Sequence, residues 1–152
     1  MRALEKYAVR CGGGTNHRFG LYDAVLIKDN HIEIAGGIRE AIRRIREQVA
    51  PTAQHRIVIE VEAQTIAAVD EALAAGADTI MLDNLSIEEM REAIRRIAGR
   101  ARVEISGGVT LESLPAMAGL GADMISIGAL THSSPAVDIS MEITPDATHS
   151  AR

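Results

Sequence analysis

The stretch from Cys11 to Ile32 reads CGGGTNHRFGLYDAVLIKDNHI. A glycine triplet, Gly12 to Gly14, is followed by the pair His17-Arg18, an aliphatic run from Ala24 to Ile27 and the charged cluster Lys28-Asp29-Asn30-His31. A short aliphatic strand that delivers a lysine, an acid and a histidine at its carboxyl end is the pattern of a βα enzyme site. Upstream, Ala3 to Cys11 is expected to form a short helix with Leu4 and Val9 as its apolar contacts. The triplet ends it, because glycine loses the most backbone entropy on ordering and readily adopts positive φ. The triplet does not match a nucleotide-binding fingerprint: no strand precedes it and no Gly-Lys-Ser/Thr follows.

The same unit recurs downstream. A helix is expected from Gly36 or Gly37 to about Val49, with Ile38, Ile42, Ile45 and Val49 on one stripe and Pro51 closing it. Arg56 to Glu62 reads as a second strand, where Ile57, Ile59 and Val61 alternate with Val58, Glu60 and Glu62. A helix over about Gln64 to Ala75 ends at Gly76, and Thr79 to Leu82 is the third strand, stopping at Asp83-Asn84. Ser86 and Glu89 form a capping box for a helix carrying Met90, Ile94 and Ile97. Arg102 to Ile105 is the fourth strand, ending in Ser106-Gly107-Gly108; Thr110 opens a helix with Leu111 and Leu114. Met124 to Ile127 is the fifth strand, ending at Gly128, and Asp138 to Ile143 is a candidate last strand.

Gly76-Ala77-Asp78-Thr79-Ile80 recurs as Gly121-Ala122-Asp123-Met124-Ile125, each time where a helix end turns into a strand. Five such units predict an α/β fold of parallel βα units with right-handed crossovers, forming part of an open, incomplete TIM-like barrel. Residues 1–143 are expected to be this partial barrel, and 144–152 a mobile tail with nothing to bury.

Composition agrees. At 152 residues the chain is one domain by length, and it is 47% apolar with only 2% aromatic residues. Its core must therefore be aliphatic, as suits a parallel sheet covered by helices. A formal charge of −5 argues against nonspecific nucleic-acid or anionic-membrane binding, though not against a local basic pocket. The single Cys11 cannot form an internal disulfide, and no signal peptide or long apolar span is visible. A soluble, cytoplasmic protein without a nucleic-acid or membrane partner is expected.

Barrel chemistry sits at the carboxyl ends of strands. Those ends read Lys28, then Glu60 and Glu62, then Asp83, then Glu104 with Ser106-Gly107-Gly108, then Gly128. A charged strand end is commonly a solvated loop residue and a glycine a mere turn; the coincidence over consecutive strands favours a site. Glu60 and Glu62 leave the same face of their strand, and two carboxylates inside a barrel need cations or a metal beside them. Pairing with Lys or Arg is one solution, and Mg²⁺ beside a phosphorylated substrate is the other. The loops Ser106-Gly107-Gly108 and Ile127-Gly128 suit phosphate held by backbone N–H groups. His17, Arg18 and Lys28 would supply positive charge for an anionic substrate.

The segments EKYAVRCGGGTNHRFGLYDAVLIKDNHI, IEVE, IMLDN, EISGGV and SIGALTHS, with a late DIS, resemble the quinolinate phosphoribosyltransferase family in order and spacing over about residues 1–143. The resemblance implies a small amino-terminal domain followed by an open α/β barrel. It implies synthesis of nicotinate mononucleotide, pyrophosphate and CO₂ from quinolinate and phosphoribosyl pyrophosphate, with Mg²⁺, in NAD biosynthesis. It assigns His17, Arg18 and Lys28 to substrate anions, and Ser106, Gly107, Gly108, Gly128 and His132 to phosphate. Lys28, Glu62 and Asp83 become catalytic, with Glu62 and Asp83 near the ribose and metal. A homo-oligomer, dimer or higher, is implied, because the family's site borrows residues from a partner subunit.

The start departs from the family pattern: Met1-Arg2-Ala3-Leu4-Glu5-Lys6 begins inside a motif that usually runs Thr-Arg-Lys-Thr, a spacer, Pro-Gly, an apolar residue and Arg. The amino-terminal domain and first part of the barrel are therefore expected to be absent, with little transferase activity in the isolated chain. Two other readings stand beside this one. They are a non-catalytic phosphate-ligand-binding half-barrel, or subunit needing a separate amino-terminal chain, and the related family associated with molybdenum transport.

Overall fold

In the computed structural model, which describes residues 1–49 and 57–143, five strands form one parallel sheet in chain order. They are β1 (Val25–Ile27), β2 (Ile59–Ala63), β3 (Thr79–Asp83), β4 (Arg102–Ser106) and β5 (Met124–Ile125). The helices are α1 (Arg2–Cys11), α2 (Asp29–Ala35), α3 (Ile38–Gln48), α4 (Ile66–Ala74), α5 (Ile87–Ile97), α6 (Leu114–Ala118) and α7 (Ala129–His132). Strands that pair with their sequence neighbours, with helices between them, build a barrel wall, and the described sheet is open, with β1 and β5 at its edges.

The period-two alternation gives this sheet two different faces. Ile59, Val61 and Ala63, Ile80 and Leu82, and Val103 and Ile105 are at most 4% exposed and pack on Ile42 of α3, Val69 of α4 and Met90 and Ile97 of α5. Each fully buried aliphatic side chain there contributes roughly 1.5–3 kcal/mol of transfer free energy. The opposite face is polar. Register aligns Glu62 with Met81, Met81 with Glu104, and Asp83 with Ser106, so these side chains form rows on one surface.

The repeated Gly-Ala-Asp has a mechanical meaning. Asp78 donates its N–H to the Ile59 carbonyl at 2.9 Å and accepts from the Ile59 N–H at 3.0 Å. Asp123 does the same to Val103, at 3.0 and 2.7 Å. Each aspartate thus pins the start of the neighbouring strand, and with it the register. Asp123→Ala leaves a part-buried N–H without its acceptor, so it is expected to cost about 1–3 kcal/mol, read as a lower urea midpoint at unchanged slope.

The capping box forms as expected: Ser86 Oγ accepts from the Glu89 N–H at 3.3 Å, and Glu89 accepts from the Ser86 N–H at 2.9 Å. Several expectations are corrected. Lys28 to His31 is not a simple strand-end cluster. Lys28 caps α2, and His31 Nδ1 accepts the Lys28 N–H at 3.0 Å. Neither α2 nor α7 was expected. Thr110 does not open α6; it and Ser113 bond each other in a turn, leaving Leu111 exposed. The fifth strand stops at Ile125, and Leu4 of α1 is exposed. Asp138 to Ile143 forms no strand, and Val137, Ile139, Met141 and Ile143 are exposed. Pro51, Arg56 and the expected tail 144–152 lie outside the described residues. Among the described residues no helix is long and apolar enough to cross a membrane.

Candidate active site

The polar face of the sheet opens into a cavity of about 1250 Å³. His17, Arg18, Lys28, Glu62, Asp83, Ser106, Gly107, Gly108, Gly128 and His132 all line it, so every residue given a role by the family resemblance borders one space, whereas Glu60 does not line it.

Its cationic rim is built by α1 and the loop after it. Lys6 Nζ donates to the carbonyls of His17 and Arg18 at 3.0 and 2.9 Å, and Asn16 Nδ2 donates to the Lys6 carbonyl at 2.9 Å. The Asp23 carboxylate accepts from the Gly20 and Phe19 N–H groups, which hold its pKa below the ordinary range. These bonds fix the path that presents His17 and Arg18. Lys28, at the end of β1, reaches across to Glu62, with Nζ 3.7 Å from Oε2.

Two carboxylates on adjacent strands form the acidic side. Gln64 Nε2 donates to Glu62 Oε1 at 3.1 Å and reaches Asp83 Oδ2 at 3.5 Å, while Asn84 Nδ2 donates to Asp83 Oδ2 at 2.8 Å. Beside them, the Ser106-Gly107-Gly108 turn follows β4, with Gly107 at φ +91° and Gly108 at φ +59°. Across the cavity mouth Gly128 precedes α7, where the His132 ring lies so close that a Cβ on Gly128 would stand 3.1 Å from Nε2.

At the base of the cavity His17, which lines it, meets two buried acids, Glu60 and Glu104. His17 Nε2 is 3.3 Å from Glu60 Oε2 and 3.5 Å from Glu104 Oε1, and Ser126 Oγ donates to the Glu104 carboxylate. The hydrogen bond to Glu60 raises the His17 pKa, burial opposes it, and the Glu104 charge adds to the rise. Burial pushes the Glu104 carboxyl up, and the charge of Glu60 pushes it further. Burial also works against the Glu60 carboxylate, but hydrogen bonds from His17 and Glu104 hold it below the ordinary range.

Period-two alternation already placed Glu60 with Glu62 and Glu104 at a strand end, yet neither Glu60 nor Glu104 was among the assigned residues. Lys6, Gln64 and Ser126 were missed, because nothing in their spacing distinguishes them from ordinary surface polar groups.

The family model "Quinolinate phosphoribosyl transferase, C-terminal domain" matches residues 1–142. The chain belongs to this family. A relative from Bacillus subtilis, named probable nicotinate-nucleotide pyrophosphorylase (carboxylating), is 51% identical over 144 residues, covering 95% of this chain and 48% of the relative. One of Methanocaldococcus jannaschii with the same name is 47% identical over 147 residues, covering 92% and 50%. The crystal structure of NadC from Streptococcus pyogenes superposes with TM-score 0.83 at 48% identity, covering 93% of this chain and 48% of that one. The chain thus spans about half the length of the curated relatives it matches. At 17% identity and TM-score 0.55, a thiamine phosphate pyrophosphorylase of Pyrococcus furiosus shares the fold alone.

Proposed function

We propose that this cavity binds quinolinate and phosphoribosyl pyrophosphate, and that the protein it belongs to makes nicotinate mononucleotide, pyrophosphate and CO₂. The observation that carries the reading is the convergence of three cations, two carboxylates and two glycine turns on one space. In this reading the pyridine nitrogen forms its bond to the ribose C1′ as the C1′–O bond breaks and its electrons leave with pyrophosphate. Loss of CO₂ from the 2-carboxylate then leaves an electron pair on the ring carbon, which takes up a proton.

His17, Arg18 and Lys28 would hold the two carboxylates of the ring, with the Arg18 fork suited to planar oxygen pairs. Glu62 and Asp83 would favour the positive charge that develops on the sugar. Ser106, Gly107 and Gly108, with Gly128 and His132 opposite, would cradle phosphate through close-approaching main chain. Mg²⁺ fits the Glu62–Asp83 pair, since both are oxygen donors on adjacent strands already drawn together by Gln64. When bound it neutralises the departing pyrophosphate.

The test is calorimetric. Quinolinate, and phosphoribosyl pyrophosphate with Mg²⁺, are each expected to bind the chain and to stabilise it against heat in proportion to ligand excess. No heat from quinolinate would overturn the assignment. We also read the protein as a cytoplasmic homo-oligomer. Leu4, Tyr7, Leu21 and Tyr22, on α1 and the loop after it, are 66–85% exposed, which favours a protein partner there. Light scattering is expected to show concentration-dependent association; a monodisperse monomer at all concentrations would count against it.

A further inference from the structure

We infer that Glu60 and Glu104 are positioning residues for His17: they grip Nε2 from below and present the ring, through Nδ1, as a charged hydrogen-bond donor to a carboxylate in the cavity. This rests on the dicarboxylate reading above for its ligand, but not for its geometry.

The geometry joins three separate parts of the chain, the loop after α1, β2 and β4. The ligand atoms of His17, Glu60 and Glu104 all lie within 4.8 Å of one another. Glu60 is 8% and Glu104 2% exposed, whereas the His17 side chain is 35% exposed and lines the cavity. Two acids buried at that separation require compensation. Lys28 pairs with Glu62 at 3.7 Å, and Arg18, from the same loop as His17, opposes a charge on the ring while favouring one on Glu60. Strand β3 contributes only Thr79 and Met81 to this layer, and beyond β5 Ser126 contributes a hydroxyl.

The side chain that meets both acids is the His17 ring, at 3.3 and 3.5 Å, so it is the group placed to compensate them. Among the described residues Glu60 Oε1 is buried with no hydrogen-bond partner, which leaves Oε2 as the oxygen that holds the ring. No bond from a described residue reaches His17 Nδ1, which leaves that N–H for a ligand.

The test uses the full chain with ¹⁵N-labelled histidine, following His17 by NMR and assigning it by its loss in His17→Gln. In the wild type the ring is expected to titrate above the ordinary histidine value of about 6.5 and to carry protons on both nitrogens at neutral pH. Glu60→Gln should lower that midpoint by roughly one pH unit or more. Glu104→Gln, which removes the more distant of the two acids, should lower it by less. A wild-type midpoint at or below the ordinary value overturns the proposal without any variant. So does a Glu60→Gln midpoint that stays put, or micromolar Zn²⁺ replacing the ring protons at neutral pH.

A calorimetric arm separates the two readings. Quinolinate affinity should fall as pH rises through the His17 midpoint, and this dependence should shift to lower pH in Glu60→Gln. If wild type ignores quinolinate at every pH, the substrate assignment fails, while the NMR midpoints still decide the positioning role.

Discussion

Gly107→Ala is expected to lower stability by about 2–6 kcal/mol and to abolish measurable binding of phosphoribosyl pyrophosphate. A Cβ at this position would stand 2.3 Å from Asn84 Oδ1 and 2.8 Å from the Asn84 backbone nitrogen. The side-chain oxygen could rotate away; the nitrogen could not. It donates to the Ser106 carbonyl at 3.1 Å and belongs to a residue itself held at φ +56°. Gly107 adds its own φ of +91° to that constraint. A strained backbone of this kind costs about 1–3 kcal/mol and overpacking about 1–3 more. The damage does not stay in the turn, because Asn84 Nδ2 holds the Asp83 carboxylate at 2.8 Å. Gly108→Ala is the control. It sits at φ +59° with open space where its Cβ would point, so only a backbone cost of about 1–2 kcal/mol is expected. Thermal unfolding of the two variants, beside calorimetry with phosphoribosyl pyrophosphate and Mg²⁺, decides the matter. Equal losses at both positions would show that conformation alone, rather than the close approach of two turns, demands glycine at 107.

Much of this architecture was legible because it obeys short-period rules. The alternation in IEVEA separates a core face from a site face, and aliphatic runs ending in Lys28, Asp83 and Ser106 mark the ends that open on the cavity. Ser86 and Glu89 announce their helix three residues apart. What escaped were features without a repeat. Helix α2 is seven residues long, too short to display a 3.6-residue stripe, and its first turn is capped by a histidine nitrogen rather than by Ser, Thr or Asp. In residues 137–143 the apolar alternation is clear, yet all of Val137, Ile139, Met141 and Ile143 are exposed. A strand pattern states what a segment can pair with, and pairing needs a neighbour that the described residues do not provide.

The site shows the same division. Residue types at strand ends located the cavity, but which side chain touches which was set by tertiary approach. Gln64 lies just past β2, and only the twist of the following turn brings its amide to both Glu62 and Asp83. Lys6 is eleven residues from His17, and α1 carries its amine to the carbonyls of the His17-Arg18 pair. Glu104 looked like another strand-end acid; the register of β4 against β3 instead sets it in mid-strand, almost fully buried in the cavity floor.

The charge layout of the cavity makes its strongest consequence a crossed pair of losses. Lys28→Ala removes a half-exposed cation whose only close ion pair among the described residues is Glu62, so fold stability should change little, as exposed pairs contribute about 0–1 kcal/mol. Quinolinate affinity, by contrast, should fall roughly 30-fold or more, the usual scale for truncating one partner of a desolvated charge contact. Asp83→Ala should do the reverse. It removes one of the two oxygen donors that Gln64 draws together, and Mg²⁺-dependent binding of phosphoribosyl pyrophosphate should drop by at least about 10–100-fold. Quinolinate binding should survive there, because Lys28, His17 and Arg18 are untouched. Both ligands titrated into both variants by calorimetry give four affinities. Parallel losses in all four would mean that the cavity is a single undivided anion site, with no separate acidic subsite for the metal and sugar. A crossed pattern requires two subsites, sharing one wall where Lys28 and Glu62 meet.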